Sequence, residues 1–214
     1  MWGLLSRRTQ VLVIAGLAIV LAWGIEGAAV LFTGNVPSPI KLIALVVTII
    51  STGIVAITSA VWRKLWNWFP IIGRKLFPDL TGTWVGELVS TWKNPATGQG
   101  VAPIPVTIWI RQGLFSTSIK LRSGESTSYS TGCLLEADRG AGRFRFWYSY
   151  DNNPRAQYRH RSARHEGVAW LELDIDTDPE RLVGDYYTDR RTSGDIDVRR
   201  LKTKIDGEPV AAAA

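Results

Sequence analysis

One cysteine and two histidines in 214 residues exclude several kinds of protein at once. Cys133 has no partner in the chain, so no intrachain disulfide can form, which fits a reducing compartment. As a small apolar side chain it is expected to be buried. His160 and His165 stand five apart on a polar stretch, with no cysteine or spaced carboxylate to complete a metal site. Gly-x-Ser-x-Gly elbows and phosphate-cradling P-loops are missing as well. Asp174, Asp176 and Asp178 imitate the start of an EF-hand loop. However, Pro179 stands where that loop needs glycine, and Asp185 where it needs a bidentate glutamate. The triplet reads as a solvated strand end. Neither catalysis nor a resident metal is expected.

Charge is the next scarcity, and it is local. Residues 1–79 hold seven basic and two acidic side chains, a net of +5; residues 80–214 hold eighteen and seventeen, a net of +1. The basic pI of 9.7 therefore comes from the first third. A polyanion-binding domain is basic over a whole face, so the near-neutral remainder argues against a partner that is DNA or RNA.

Within that first third, Val11–Phe32 carries one charge, Glu26, and Leu42–Trp62 carries none. Each stretch exceeds the roughly 20 apolar residues that cross a hydrocarbon core. The connector from Thr33 to Lys41, with Pro37 and Pro39, is short enough only for a hairpin, which puts both termini on one side. Arg7 and Arg8 precede the first stretch, and Arg63, Lys64, Arg74 and Lys75 follow the second, while the connector offers only Lys41. Basic flanks stay in the cytoplasm, so a multi-pass inner-membrane protein with cytoplasmic termini is expected. Ser6-Arg7-Arg8 and Gly27-Ala28-Ala29 imitate an export signal and its cleavage site, but the apolar stretch is long for a signal and a second follows at once. Glu26 sits near the outer end of its stretch. Thr52, Ala56 and Ala60 form a small-xxx-small stripe that suits close helix packing, within one chain or between chains in an oligomer.

From Leu80 onward the pattern changes to short alternating segments punctuated by Gly, Pro, Asn, Asp and Ser, the mark of an all-β domain. Eight strands are expected, at about Gly82–Trp92, Ile104–Arg111, Thr117–Arg122, Ser128–Ala137, Arg143–Tyr150, Val168–Ile175, Leu182–Thr188 and Ile196–Leu201. Phe144, Phe146, Tyr148 and Tyr150 alternate with Arg143, Arg145, Trp147 and Ser149 over four periods. Only Pro154–His165 departs from strand character, as a polar, Arg-rich excursion. Eight antiparallel strands make either a sandwich or a closed barrel, whose interior holds side chains or one small ligand. The expected layout is a transmembrane hairpin over 1–69, a linker over 70–79, a barrel over 80–204 and a tail over 205–214.

Aromatic and arginine side chains crowd this half. Aromatic faces stack on nucleobases and arginine forks pair with phosphate, so a pocket offering both suits a small nucleotide. On strand parity, Trp84, Trp92, Tyr148, Tyr150 and Tyr186 are expected inside. Arg111, Arg190 and Arg191 fall near strand ends, where a barrel mouth would lie. Most of the aromatics are barrel core in any half-buried sheet.

Gly82-Thr83-Trp84, with Arg199 and Arg200 in the last strand, resembles the Gly-x-Trp of lipocalin-like barrels. There the Trp packs at the closed end under a late Arg. The two apolar stretches, the junction from Phe77-Pro78-Asp79 through Trp84-Val85-Gly86 and the segment Leu182-Val183-Gly184-Asp185-Tyr186-Tyr187-Thr188-Asp189-Arg190 extend the resemblance to nearly the full chain. Together they are similar to the membrane-anchored β-barrel effectors of bacterial CBASS antiphage systems, also called SMODS-associated or CD-NTase-associated β-barrel proteins. That resemblance implies a lipocalin-like barrel in the cytoplasm that binds a cyclic dinucleotide made by a partner nucleotidyltransferase (CD-NTase). It further implies oligomerisation on binding and disruption of the inner membrane by the helices. A nucleotide that restrains the helices, or a barrel that carries a lipid, are the competing expectations.

Overall fold

The computed structural model describes residues 6–56, 68, 77–113, 115–138 and 140–203. The chain divides into two compact units, one holding the helices and one holding the strands.

In the helical unit, α1 runs Arg7–Thr33 and α2 runs Pro39–Ala56. Ser6 caps α1, its hydroxyl accepting from the Thr9 N–H at 3.1 Å. Gly34 ends it in the left-handed region (φ 69°), its N–H donating to the Val30 carbonyl at 3.0 Å. The 27 residues of α1 span about 40 Å, more than the roughly 30 Å of a hydrocarbon core. Val20, Leu31 and Phe32 are exposed along it, as lipid-facing side chains would be. Among the described residues α1 is the one helix long and apolar enough to cross a membrane. The described part of α2 is apolar and shorter. Thr48 returns its hydroxyl hydrogen to the Ala44 carbonyl at 2.8 Å, which hides its polarity inside the helix. Thr52 is exposed on α2, Ala56 is the last residue of its described part, and Ala60 lies outside the described residues, as does the rest of the expected second span.

The strand unit is a closed barrel of eight antiparallel strands in chain order. They are β1 Gly82–Ser90, β2 Ile104–Gln112, β3 Thr117–Ser123, β4 Ser126–Asp138, β5 Arg143–Pro154, β6 His165–Asp174, β7 Arg181–Thr188 and β8 Ser193–Lys202. β8 pairs with β1 from Ser90↔Gly194 to Thr83↔Lys202, which removes the open sheet edge. Irregularities between Thr83 and Trp84 and between Ser130 and Gly132 break the ladder. Such bulges bend the strands that closure requires. Alternation decides what faces in: Phe144, Phe146, Tyr148 and Tyr150 are buried on β5, with Ile108 and Ile110 on β2 and Leu171 and Leu173 on β6.

One end of the barrel is shut. A strap from Phe77 to Thr81 crosses it, with Phe77 and Leu80 buried and the Phe77 ring edge-on to Phe144 at 5.3 Å. Gln112 fastens the strap, its amide oxygen accepting from the Leu80 N–H at 2.7 Å and its amide nitrogen donating to the Pro78 carbonyl at 3.2 Å. Trp84 is fully buried there; its indole N–H donates to the Leu80 carbonyl at 3.0 Å. The Arg200 guanidinium lies 4.5 Å over the ring and donates to the Asp79 carbonyl at 2.7 Å. This cation–π stack, largely removed from water, ties the last strand to the first.

Candidate functional site

The other end of the barrel opens into a cavity of about 670 Å³. That falls within the roughly 300–1,000 Å³ of small-molecule sites. Four connections surround it: 91–103, 124–125, 155–164 and 189–192. Strand direction explains the position. Odd-numbered strands run toward this end and even-numbered strands away from it, so it collects the last residues of β1, β3, β5 and β7.

The floor is aromatic. Tyr148 and Tyr150 continue the β5 ladder upward, Phe146 to Tyr148 at 6.2 Å and Tyr148 to Tyr150 at 5.9 Å between ring centres. Tyr186 of β7 and Trp92, just past β1, complete the aromatic lining. Two tyrosines face glycines across the ladder: Tyr150 opposes Gly167 and Tyr186 opposes Gly194. A Cβ on Gly167 would sit 2.4 Å from the Tyr150 hydroxyl, and one on Gly194 would sit 2.6 Å from the Tyr186 ring. The missing side chains are therefore what lets each ring lie along the wall and leave the centre open. Burial pushes the phenols of Tyr148, Tyr150 and Tyr186 above the ordinary tyrosine range. They stay neutral and offer hydroxyls that both donate and accept.

The rim is polar and cationic. Ser128 and Asn152, register partners on β4 and β5, are buried and line the cavity. His165 opens β6, its Nδ1 lying 3.4 Å from the Asn152 amide and 3.1 Å from the Ala163 carbonyl. Arg190 reaches it from the β7–β8 turn, Nη2 to Nε2 at 3.4 Å, and Nη1 donates to the Ser162 hydroxyl at 3.4 Å. A guanidinium only donates, which assigns Nε2 as acceptor and leaves the ring proton on Nδ1, directed at Ala163. Burial first, and the Arg190 charge after it, hold the imidazole below its ordinary pKa, so His165 is neutral near pH 7. Arg161 and Glu125 close the rim as an ion pair, both half-exposed.

Of the side chains expected from sequence to touch a ligand, Trp92, Tyr148, Tyr150, Tyr186 and Arg190 line this one cavity. Trp84, Arg111 and Arg191 do not. Trp84 points inward as parity requires, but at the shut end. Arg111 is exposed near the end of β2, an even-numbered strand, and therefore also lies at the shut end. Arg191 shapes the β7–β8 turn with φ 60°, its N–H donating to the Thr188 carbonyl at 3.1 Å. Ser128, Asn152, His165, Arg161 and Glu125 went unnamed as ligand contacts. Two of them had a signal: Arg161 is one of the arginines that crowd this half of the chain, and Asn152 continues the even-numbered parity of β5 by one step beyond Tyr150.

A barrel shut at one end, with aromatic rings inside and a polar, arginine-bearing mouth at the other, has the form and chemistry of a small-molecule receptor. Comparison with known proteins makes this specific. A family model described as Cap15, cyclic dinucleotide receptor domain, matches residues 75–200. The chain belongs to that family of CBASS effectors. It is also similar to the CD-NTase-associated protein 15 of Staphylococcus schleiferi, 27% identical over 149 residues, which are 68% of this chain and 74% of that protein.

Proposed function

We propose that the barrel binds one cyclic dinucleotide, supplied by a CD-NTase, in the cavity at its open end. Bases lie against Trp92, Tyr148, Tyr150 and Tyr186, and a phosphodiester faces Arg190. The observation that carries this reading is the sorting of chemistry within one cavity, the rings of Tyr148, Tyr150 and Tyr186 on its walls and Arg190 at its rim, in a chain whose barrel matches a cyclic dinucleotide receptor family. Stacking on such rings supplies about 1–3 kcal/mol per base.

The remainder of the reading concerns the membrane. Two apolar segments anchor the chain in the inner membrane as a hairpin, with both termini and the barrel in the cytoplasm. Ligand binding favours an oligomer of barrels, and the helices, brought together by effective concentration, breach the bilayer. Association through Thr52, Ala56 and Ala60 belongs to that step. A ligand moves such an equilibrium only by preferring the assembled state.

Calorimetric titration of the full chain in detergent micelles with a panel of cyclic dinucleotides tests the first part. At least one is expected to bind, with affinity falling tenfold or more in Tyr150→Ala and Arg190→Ala. The same protein in dye-filled vesicles is expected to release dye only when that nucleotide is added. Silence across the panel, with a lipid found in the purified protein, would transfer the barrel to a hydrophobic ligand. Leakage without nucleotide would mean that the ligand restrains the helices.

A further inference from the structure

Neither parity nor the family match assigns a role to the ion pair on the cavity rim. Arg161 and Glu125 both line the cavity, and their side chains meet there in a salt bridge. They come from different loops, thirty-six residues apart. The Glu125 carbonyl also accepts from the Arg155 N–H at 2.9 Å, so the two-residue β3–β4 turn holds the β5–β6 connection at its first residue and again at Arg161. That connection holds Arg155, Arg159, Arg161 and Arg164 with no acidic residue of its own. Glu125 is thus an anion held against a cationic loop at the entrance to a site for an anion.

We infer that Glu125 occupies Arg161 in the unliganded receptor, and that a ligand phosphodiester displaces it and takes Arg161 as a second phosphate contact beside Arg190. The inference rests on the reading of the cavity as a cyclic dinucleotide site. Three features suit an exchange. Both partners are half-exposed, and such pairs hold weakly because water competes for each charge. The Arg161 guanidinium lies 5.1 Å over the Tyr158 ring, which supports its plane when the carboxylate leaves. Ser162, the next residue, is already tied to Arg190, so Arg161 and Arg190 are held around the same opening. The exchange also selects. A ligand with two phosphodiesters supplies one anion for each arginine, whereas a mononucleotide or a neutral molecule leaves the Glu125 pair closed.

A double-mutant cycle on the full chain in detergent, read by calorimetry with the tightest cyclic dinucleotide of the panel, tests this. Arg161→Ala is expected to lower affinity about tenfold, as loss of a charge-assisted contact does. Glu125→Gln is expected to raise it roughly three- to fivefold, because the arginine no longer leaves a partner. The gain must depend on Arg161: in the Arg161→Ala background, Glu125→Gln is expected to change affinity less than about twofold. An equal gain in both backgrounds would reduce Glu125 to general repulsion and overturn the exchange. So would a loss of affinity in Glu125→Gln, which would make the pair a scaffold. Absence of binding by the unmodified chain would instead strike the underlying reading.

Discussion

Tyr150 keeps its place in the cavity because the residue opposite has no side chain. Gly167 gives up a strand-forming Cβ so that a ring can cover its backbone, an arrangement that fixes register while it creates space. His165 shows a different economy. It accepts from Arg190 only while neutral, so the rim depends on pH. Its native pKa is lower than the ordinary 6.5, chiefly through burial. The unfolded chain therefore binds the proton more readily than the native one. The contribution of this site to stability is complete above pH 6.5 and is lost as pH falls through the lower native value. Urea unfolding of the full chain in detergent between pH 7.5 and 5.5 is expected to show that decline. His165→Gln, which keeps an acceptor but cannot titrate, is expected to flatten it. An unchanged slope in the variant would assign the decline to other groups.

The elements divide the work between the barrel's two ends, and the strap carries the shut one. Phe77 is completely buried against Phe144, seven residues before the next fully buried aromatic of the chain, Trp84. Truncating such a residue costs about 3–5 kcal/mol. Phe77→Ala is therefore expected to lower the melting temperature by on the order of 10 °C, yet to leave nucleotide affinity at 25 °C within about threefold. Thermal unfolding beside calorimetry checks both, and a folded variant without affinity would end the separation of the two ends. The strands themselves were legible because the inward face of a barrel is apolar and alternation has a fixed period; Arg143–Tyr150 reads as a strand from residue types alone. Their mouth-side ends were not. Asn152 and Pro154 extend β5, and His165 and Glu166 begin β6, with polar residues that look like loop when the cavity they face is unknown. Arg111 could have been placed by topology, since an even-numbered strand in an up-and-down barrel ends away from the mouth. The rim could not, because nothing in the sequence brings Glu125 beside Arg161.

For the whole molecule the charge distribution has a single consequence. The barrel is close to neutral and the excess of basic residues flanks the apolar segments, so in the proposed hairpin those flanks, and not the domain, would set the orientation. Arg7 and Arg8 are the first two residues of α1, and Lys41 is the one basic residue between the two apolar stretches. A hairpin with the barrel in the cytoplasm keeps four basic residues after the second stretch on the same side as Arg7 and Arg8. Reversal would send six positive charges across the bilayer, and a chain with a single span would part the two groups. In an intact cell, a fluorescent reporter fused after Ala214 is expected to mature and an alkaline phosphatase fused there to stay inactive. Moving charge should move the result: Arg7→Glu with Arg8→Glu, joined by three lysines inserted between Thr33 and Pro37, is expected to raise phosphatase activity several-fold. If phosphatase is active on the unaltered chain, the barrel meets the wrong compartment for a nucleotide made inside the cell, and the receptor reading falls with it.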